Sequence, residues 1–313
     1  MSLAFVFPGQ GSQVPGMGRD LADAFPIARE TFEEVDEALK QRLSRLMFEG
    51  PAEELTLTVN AQPALMAVSV AVCRVLAREG GFDIGRRVAL VAGHSLGEYS
   101  ALTAAGAFDL GTAARLLRLR GEAMQQAVPA GEGAMAALLG AEAAQAQAIC
   151  AEAAQGEVVQ VANDNGGGQV VVSGAKAAVE RAVEAAKAAG VKRAMLLPVS
   201  APFHCAMMEP AARVMEEALG NAAMAYPAVP VVANVTAAPV SEPDAIRALL
   251  VRQVTATVRW RECVAAMVGA GCMRFAEIGA GKVLTGLMKR NAPEASAQAV
   301  GTPADVEAFL KAL

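Results

Sequence analysis

Basic runs are missing from this chain. Its 27 lysines and arginines are outnumbered by 32 acidic residues, giving a net charge of −5. Phosphate backbones need a basic surface, which argues against nucleic acid as a partner. Cysteine is sparse and unpatterned: Cys73, Cys150, Cys205, Cys263 and Cys272 are odd in number and contain no CxxC pair. That usage suits reduced thiols in a cytoplasmic protein and argues against structural zinc. Neither a metal nor a cofactor is expected. Long apolar runs are lacking too. The best of them, Ala61 to Leu76, is interrupted by Pro63 and Arg74 and falls short of the roughly 20 residues that span a bilayer, so it reads as a buried helix and not as a membrane anchor. Leu3 to Phe7 is too short for a signal segment, has no basic flank and runs into a Pro-Gly turn. Internal repeats, low-complexity tracts and Pro/Ser-rich linkers are likewise absent from the sequence.

What is present is an apolar fraction of 54% over 313 residues, ample for a large core, with much of it alanine and only 4% aromatic. Leu3 to Phe7 reads as a buried strand closed by the glycine turn Pro8-Gly9-Gln10-Gly11. Helical spacing follows over 28–44 and 62–79, then a β-type run from Arg87 to Ala92, and strands separated by helices imply a parallel sheet. From Gly133 the pattern becomes strand 133–139, helix 141–154, strand 157–163, strand 169–173, helix 175–189 and strand 192–199. This β-α-β-β-α-β order predicts a ferredoxin-like unit at 129–199, inserted into an α/β domain made of 1–128 and 200–313. In the second half of that domain the expected elements are strand Val229 to Val235, helices near 243–253 and 260–270, strand Arg274 to Ile278, a helix from Lys282 and a strand near 295–300.

The segment Val88 to Ala101 runs from an apolar strand through Gly93-His-Ser95-Leu-Gly97 into a helix. That is the setting of a nucleophile elbow, whose tight turn needs small residues on either side of the serine and lifts its hydroxyl to a helix N-terminus. A hydroxyl needs a base, and only two histidines exist. His94 adjoins Ser95, so its ring should project away from the serine. His204, in Pro202-Phe-His204 where the insert returns, is the remaining candidate. No acidic third member stands out, and a backbone carbonyl could fix the imidazole tautomer. Leu96, after the nucleophile, and the turn around Gln10 are candidate N–H donors to an oxyanion. In the helix 111–128, Arg120 lies on an apolar stripe with Ala113, Leu117, Met124 and Val128. Its partner could be a structural acid or an acidic acyl substrate.

Taken together, Phe7 to Gln13, Gly93 to Ala101, Arg120-Gly-x-x-Met124-Gln125, Gln169 to Gly174, Pro202-Phe-His204, Gln253 with Val258-Arg-Trp260, and Glu277 to Leu284 resemble the malonyl-CoA:acyl carrier protein transacylases, and polyketide acyltransferase domains are similar. The resemblance implies a hydrolase-like α/β fold with a ferredoxin-like insert. It implies malonyl transfer from malonyl-CoA to acyl carrier protein through Ser95, with His204 as base and then acid. It further implies oxyanion donation by Gln10 and Leu96, carboxylate binding by Arg120, an acyl pocket touched by Met124 and Gln62, and a Gln253 carbonyl holding His204. The pattern departs at Ala61, usually threonine, and at Ala280, usually proline. The rival readings are a serine thioesterase or hydrolase using the same pair, a polyketide-pathway acyltransferase, and a non-catalytic subunit that docks carrier protein.

Overall fold

The computed structural model describes residues 2–199 and 201–312. The expected return of the chain to the large domain at residue 200 lies outside the described residues. Among the described residues, ten strands form two sheets. In chain order they are β1 (Ser2–Phe7), β2 (Leu90–Gly93), β3 (Gly133–Leu139), β4 (Val159–Asp164), β5 (Gln169–Ala175), β6 (Arg193–Leu196), β7 (Val231–Ala233), β8 (Ala238–Val240), β9 (Cys272–Ile278) and β10 (Ser296–Val300). The larger sheet has the order β10-β9-β1-β2-β7-β8 and is parallel except for β8, which turns back antiparallel along β7. Its central strands are buried on both faces, which is why they read as continuous apolar runs instead of alternating ones. The smaller sheet is antiparallel with the order β4-β5-β3-β6, so the outer strands are the second and fourth of the β-α-β-β-α-β unit. That is the ferredoxin-like arrangement.

Several expected bounds shift, each for a local reason. The helix read over 28–44 ends at Leu39, because Lys40 takes φ 51, and a separate helix starts at Leu43. The β-type run at Arg87 begins as the end of a short helix, Ile84–Arg87, and only Leu90–Gly93 pairs as strand. The strand read to 199 stops at Leu196; Leu197 N still donates to Met135 O of β3 at 2.9 Å, and the chain then lines the cleft between the sheets. The apolar run at 61–76 lies within a longer helix, Thr58–Gly80, whose 23 residues meet the length and hydropathy of a membrane span. In this fold 83% of its most apolar stretch is buried inside the protein. It packs on helix Leu110–Gln126 and on helix Pro26–Leu39 and forms the spine of the main core.

Because β1, β2 and β7 are neighbours and parallel, their carboxyl ends open on one edge of the sheet. The turn with Gln10, the elbow with Ser95, and Asn234 therefore meet there, where parallel α/β sheets bind ligands. The elbow is built by exclusion of side chains. A Cβ on Gly93 would stand 1.9 Å from Gly97 carbonyl atoms, and one on Gly97 would stand 2.3 Å from Phe7 O. Ser95 itself adopts φ 53, a left-handed conformation that costs an L-residue energy and must be held by its surroundings. Asn234 supplies that hold. Its Oδ1 accepts from Ser95 N at 2.8 Å, and its Nδ2 donates to Gly93 O at 2.7 Å.

Candidate active site

Ser95 Oγ lies 2.7 Å from His204 Nε2, and His204 Nδ1 lies 2.8 Å from the backbone carbonyl of Gln253. With Nδ1–H donated to that carbonyl, Nε2 is left as the acceptor for the serine proton. His204 also has a positive φ, 60°, so both members of the pair sit on strained backbone. Burial first, and then the neighbouring Arg120 cation, hold the imidazole down to about 3, far below an ordinary histidine. It is therefore neutral at physiological pH, as a general base must be. His94 faces elsewhere, bonded through Nε2 to Asn165 Oδ1 at 2.8 Å and packed near the Trp260 ring.

Arg120 is buried, and its hydrogen bonds run to uncharged oxygens: Gln62 Oε1 at 2.8 Å, Gln253 Oε1 at 2.9 Å and Ser95 Oγ at 3.2 Å. Its Nε has no partner among the described residues. The structural acid weighed above as its partner is not in contact with it. Close helix packing brings Arg120 to Gln62, since a Cβ on the adjoining Gly121 would come within 2.7 Å of Val59 Cα. Gln62 Nε2 donates in turn to Thr58 Oγ1, which donates to Gln10 Oε1 at 3.0 Å. One hydrogen-bonded chain thus ties the guanidinium to the turn of Gln10. The main-chain N–H groups of Gln10 and Leu96 donate to no acceptor among the described residues, whereas that of Ser95 is occupied by Asn234.

These groups line a cleft of about 370 Å³ between the two sheets. Gln10, Gln62, Ser95, Leu96, Arg120, Met124 and His204 reach it from the larger domain, Met135, Asn163 and Val171 from the smaller sheet, and Asn165 from the turn after β4. Gln253 stands behind them, fully buried. Sequence reasoning missed Asn234 and Glu98. Asn234 follows an apolar strand, where an asparagine reads as a turn residue. Glu98 lies in the first turn of helix Gly97–Ala104, where an acid reads as a favourable dipole partner. The usable signal at Glu98 was that its helix neighbours, Leu96, Tyr99, Ala101 and Leu102, are apolar all round.

Replacing Asn234 with alanine is expected to destabilise the fold by about 2–4 kcal/mol, because a buried N–H and a buried C=O of the elbow lose their partners together. Urea unfolding followed by circular dichroism measures this, and a loss below about 0.5 kcal/mol would show that the elbow holds itself.

The sequence matches the acyl transferase domain family over residues 4–311. The chain belongs to that family and is an acyltransferase. It is 49% identical over 308 residues to the malonyl CoA-acyl carrier protein transacylase of Escherichia coli, covering 98% of each chain. It is 46% identical over 312 residues to the protein of that name from Bacillus subtilis, covering 99% of this chain and 97% of the relative. Among solved structures, an acyl-carrier-protein-S-malonyltransferase from Bartonella henselae superposes with a TM-score of 0.98 at 55% identity, covering 100% of this chain and 99% of that one. A malonyl-transacylase solved in complex with a type II polyketide acyl-carrier protein superposes with a TM-score of 0.96 at 47% identity, covering 100% of both chains.

Proposed function

We propose that this protein moves a malonyl group from malonyl-CoA to the phosphopantetheine thiol of acyl carrier protein, through an ester on Ser95. The observation that carries the reading is the meeting at one serine oxygen of two groups, a neutral imidazole at 2.7 Å and, at 3.2 Å, a buried guanidinium with no carboxylate in contact among the described residues. The first suits nucleophilic attack on a thioester. The second suits a free carboxylate, and its nearness to Oγ limits the spacer between carboxylate and ester carbonyl to about one methylene, as in malonyl. The names of the relatives agree.

In the forward half, His204 Nε2 takes the Ser95 proton as Oγ bonds to the thioester carbon. The resulting oxyanion is received by the free N–H groups of Gln10 and Leu96. Collapse of the tetrahedral species breaks the carbon–sulfur bond, and the imidazolium returns its proton to the departing coenzyme A thiol. The second half repeats these steps in reverse with the carrier thiol as nucleophile, giving a ping-pong cycle. Gln62 holds Arg120 in place, and Met124 walls the acyl pocket. The Gln253 carbonyl keeps the imidazole aligned.

Loading the protein with malonyl-CoA and then adding holo carrier protein tests the proposal. Malonyl should pass to the carrier thiol, and free malonate should accumulate slowly without it. Rapid release of malonate in the absence of carrier would instead establish a thioesterase. A second test concerns pH. With His204 held to about 3, modification of Ser95 by a neutral sulfonyl fluoride should proceed at a level rate from about pH 8 to pH 5.5, because the base stays unprotonated. A fall centred on the ordinary histidine value would contradict the burial of this imidazole.

A further inference from the structure

Arg120 and Glu98 are each only 1% exposed, yet a single amide stands between them. Gln253 Oε1 accepts from Arg120 Nη2 at 2.9 Å, while Gln253 Nε2 donates to Glu98 Oε2 at 2.8 Å. The amide dipole is aligned with both charges, oxygen toward the cation and N–H toward the anion. Asn234 N fixes the same carboxylate oxygen at 3.1 Å. Direct contact would have closed a bidentate ion pair and used up the guanidinium edge. Separation by one amide balances the buried charge and leaves Nη2 turned to Ser95 Oγ.

We propose that Glu98 is the internal counter-anion of Arg120, a positioning residue that acts through the Gln253 side chain and sets how tightly the pocket grips a carboxylate-bearing acyl group. The proposal rests on the reading that Arg120 receives that carboxylate. A lone buried cation would bind an incoming carboxylate most strongly and give it up reluctantly. A fixed anion one amide away offsets part of that attraction, so the malonyl group can be both captured and passed on. Gln253 thereby serves the site twice, with its side chain for the charge and its carbonyl for His204.

The charged and titratable groups facing Glu98 are Arg120 from helix Leu110–Gln126, Cys263 from helix Trp260–Gly269, and Tyr99 on its own helix. Arginine stays protonated throughout the working range. Burial drives the Cys263 thiol up and pushes the Tyr99 phenol to about 12. Glu98 is the group whose charge changes near neutrality: burial lifts it to about 7, against the pull of Asn234, Gln253 and Arg120.

The test compares half-saturating concentrations of malonyl-CoA and acetyl-CoA for acylation of the purified full chain. Acetyl carries no carboxylate, and both share the coenzyme A phosphates, so their ratio isolates the acyl site. Glu98→Gln should lower the malonyl value by about five-fold or more and leave the acetyl value in place, as expected when an opposing charge is removed at short range. In the unaltered protein, the malonyl-to-acetyl ratio should fall as pH drops from about 8 to 6.5 and Glu98 gains its proton. This second arm needs no variant, so it decides the matter even if Glu98→Gln does not fold. Equal shifts for both substrates, a rise in the malonyl value, or a ratio flat with pH would overturn the counter-anion role. Failure of the unaltered protein to load malonyl at all would overturn the proposed function itself.

Discussion

Ser95→Ala should abolish the covalent acyl-enzyme and lower malonyl transfer by at least about 10⁴-fold, the scale on which removal of a serine nucleophile acts. The change deletes only Oγ. The Ser95 N–H remains to donate to Asn234, and alanine meets the same left-handed backbone as serine, so the elbow should survive. Loss of activity would then report chemistry and not collapse. Two measurements decide it: intact mass after brief exposure to malonyl-CoA, and the unfolding midpoint. An adduct of malonyl mass on the variant would place the nucleophile elsewhere, and an unchanged midpoint with no adduct would assign it to this oxygen.

Arg120→Ala is expected to reduce kcat/KM for malonyl loading by about 10²–10³-fold, the cost of leaving a desolvated carboxylate without its charged partner. Acetyl loading should suffer far less, since acetyl presents nothing for the guanidinium to bind. Part of the loss will be general, because Gln62 Oε1 and Gln253 Oε1 each forfeit a donor. The malonyl-to-acetyl ratio separates the two contributions. Arg120→Lys should recover only a fraction of selectivity, for an ammonium lacks the planar fork that spans Gln62, Gln253 and a ligand together. Equal losses on both substrates would remove Arg120 from substrate recognition.

Much of this was open to sequence reasoning where one residue type had few alternatives. With two histidines in the chain and one adjoining the serine, elimination led to His204, which lies 2.7 Å from Ser95 Oγ. The central strands were visible as β-type runs because burial on both faces leaves no polar alternation, and the insert was visible because its period changes at Gly133. Arg120 stood out as a cation among apolar neighbours. The short edge strand β8 did not, as its Ala-Pro-Val is partly exposed and pairs only through β7. Asn234 and Glu98 were hidden for a different reason. Their importance lies in bonds to residues 136 to 155 positions away along the chain, such as Asn234 N to Glu98 and Gln253 Nε2 to Glu98, which no local pattern records. The length of helix Thr58–Gly80 was underestimated because the polar Thr58 and Asn60 precede the apolar run, although both are buried for hydrogen bonding.

The seam between the two sheets carries a mechanical consequence. Val258 N donates to Ala162 O at 2.8 Å and Val258 O accepts from Asp164 N at 3.0 Å, extending the edge of β4 with a stretch that begins just after Gln253. Arg261 clasps Asp164 at 2.8 Å a few residues on. The far wall of the cleft and the carbonyl bonded to the His204 ring therefore hang on one continuous strip of chain, 253–261. Under the proposed function, a carrier that levered the walls apart to admit its arm would also pull on the carbonyl that holds the His204 ring, gearing access to the cleft to readiness for chemistry.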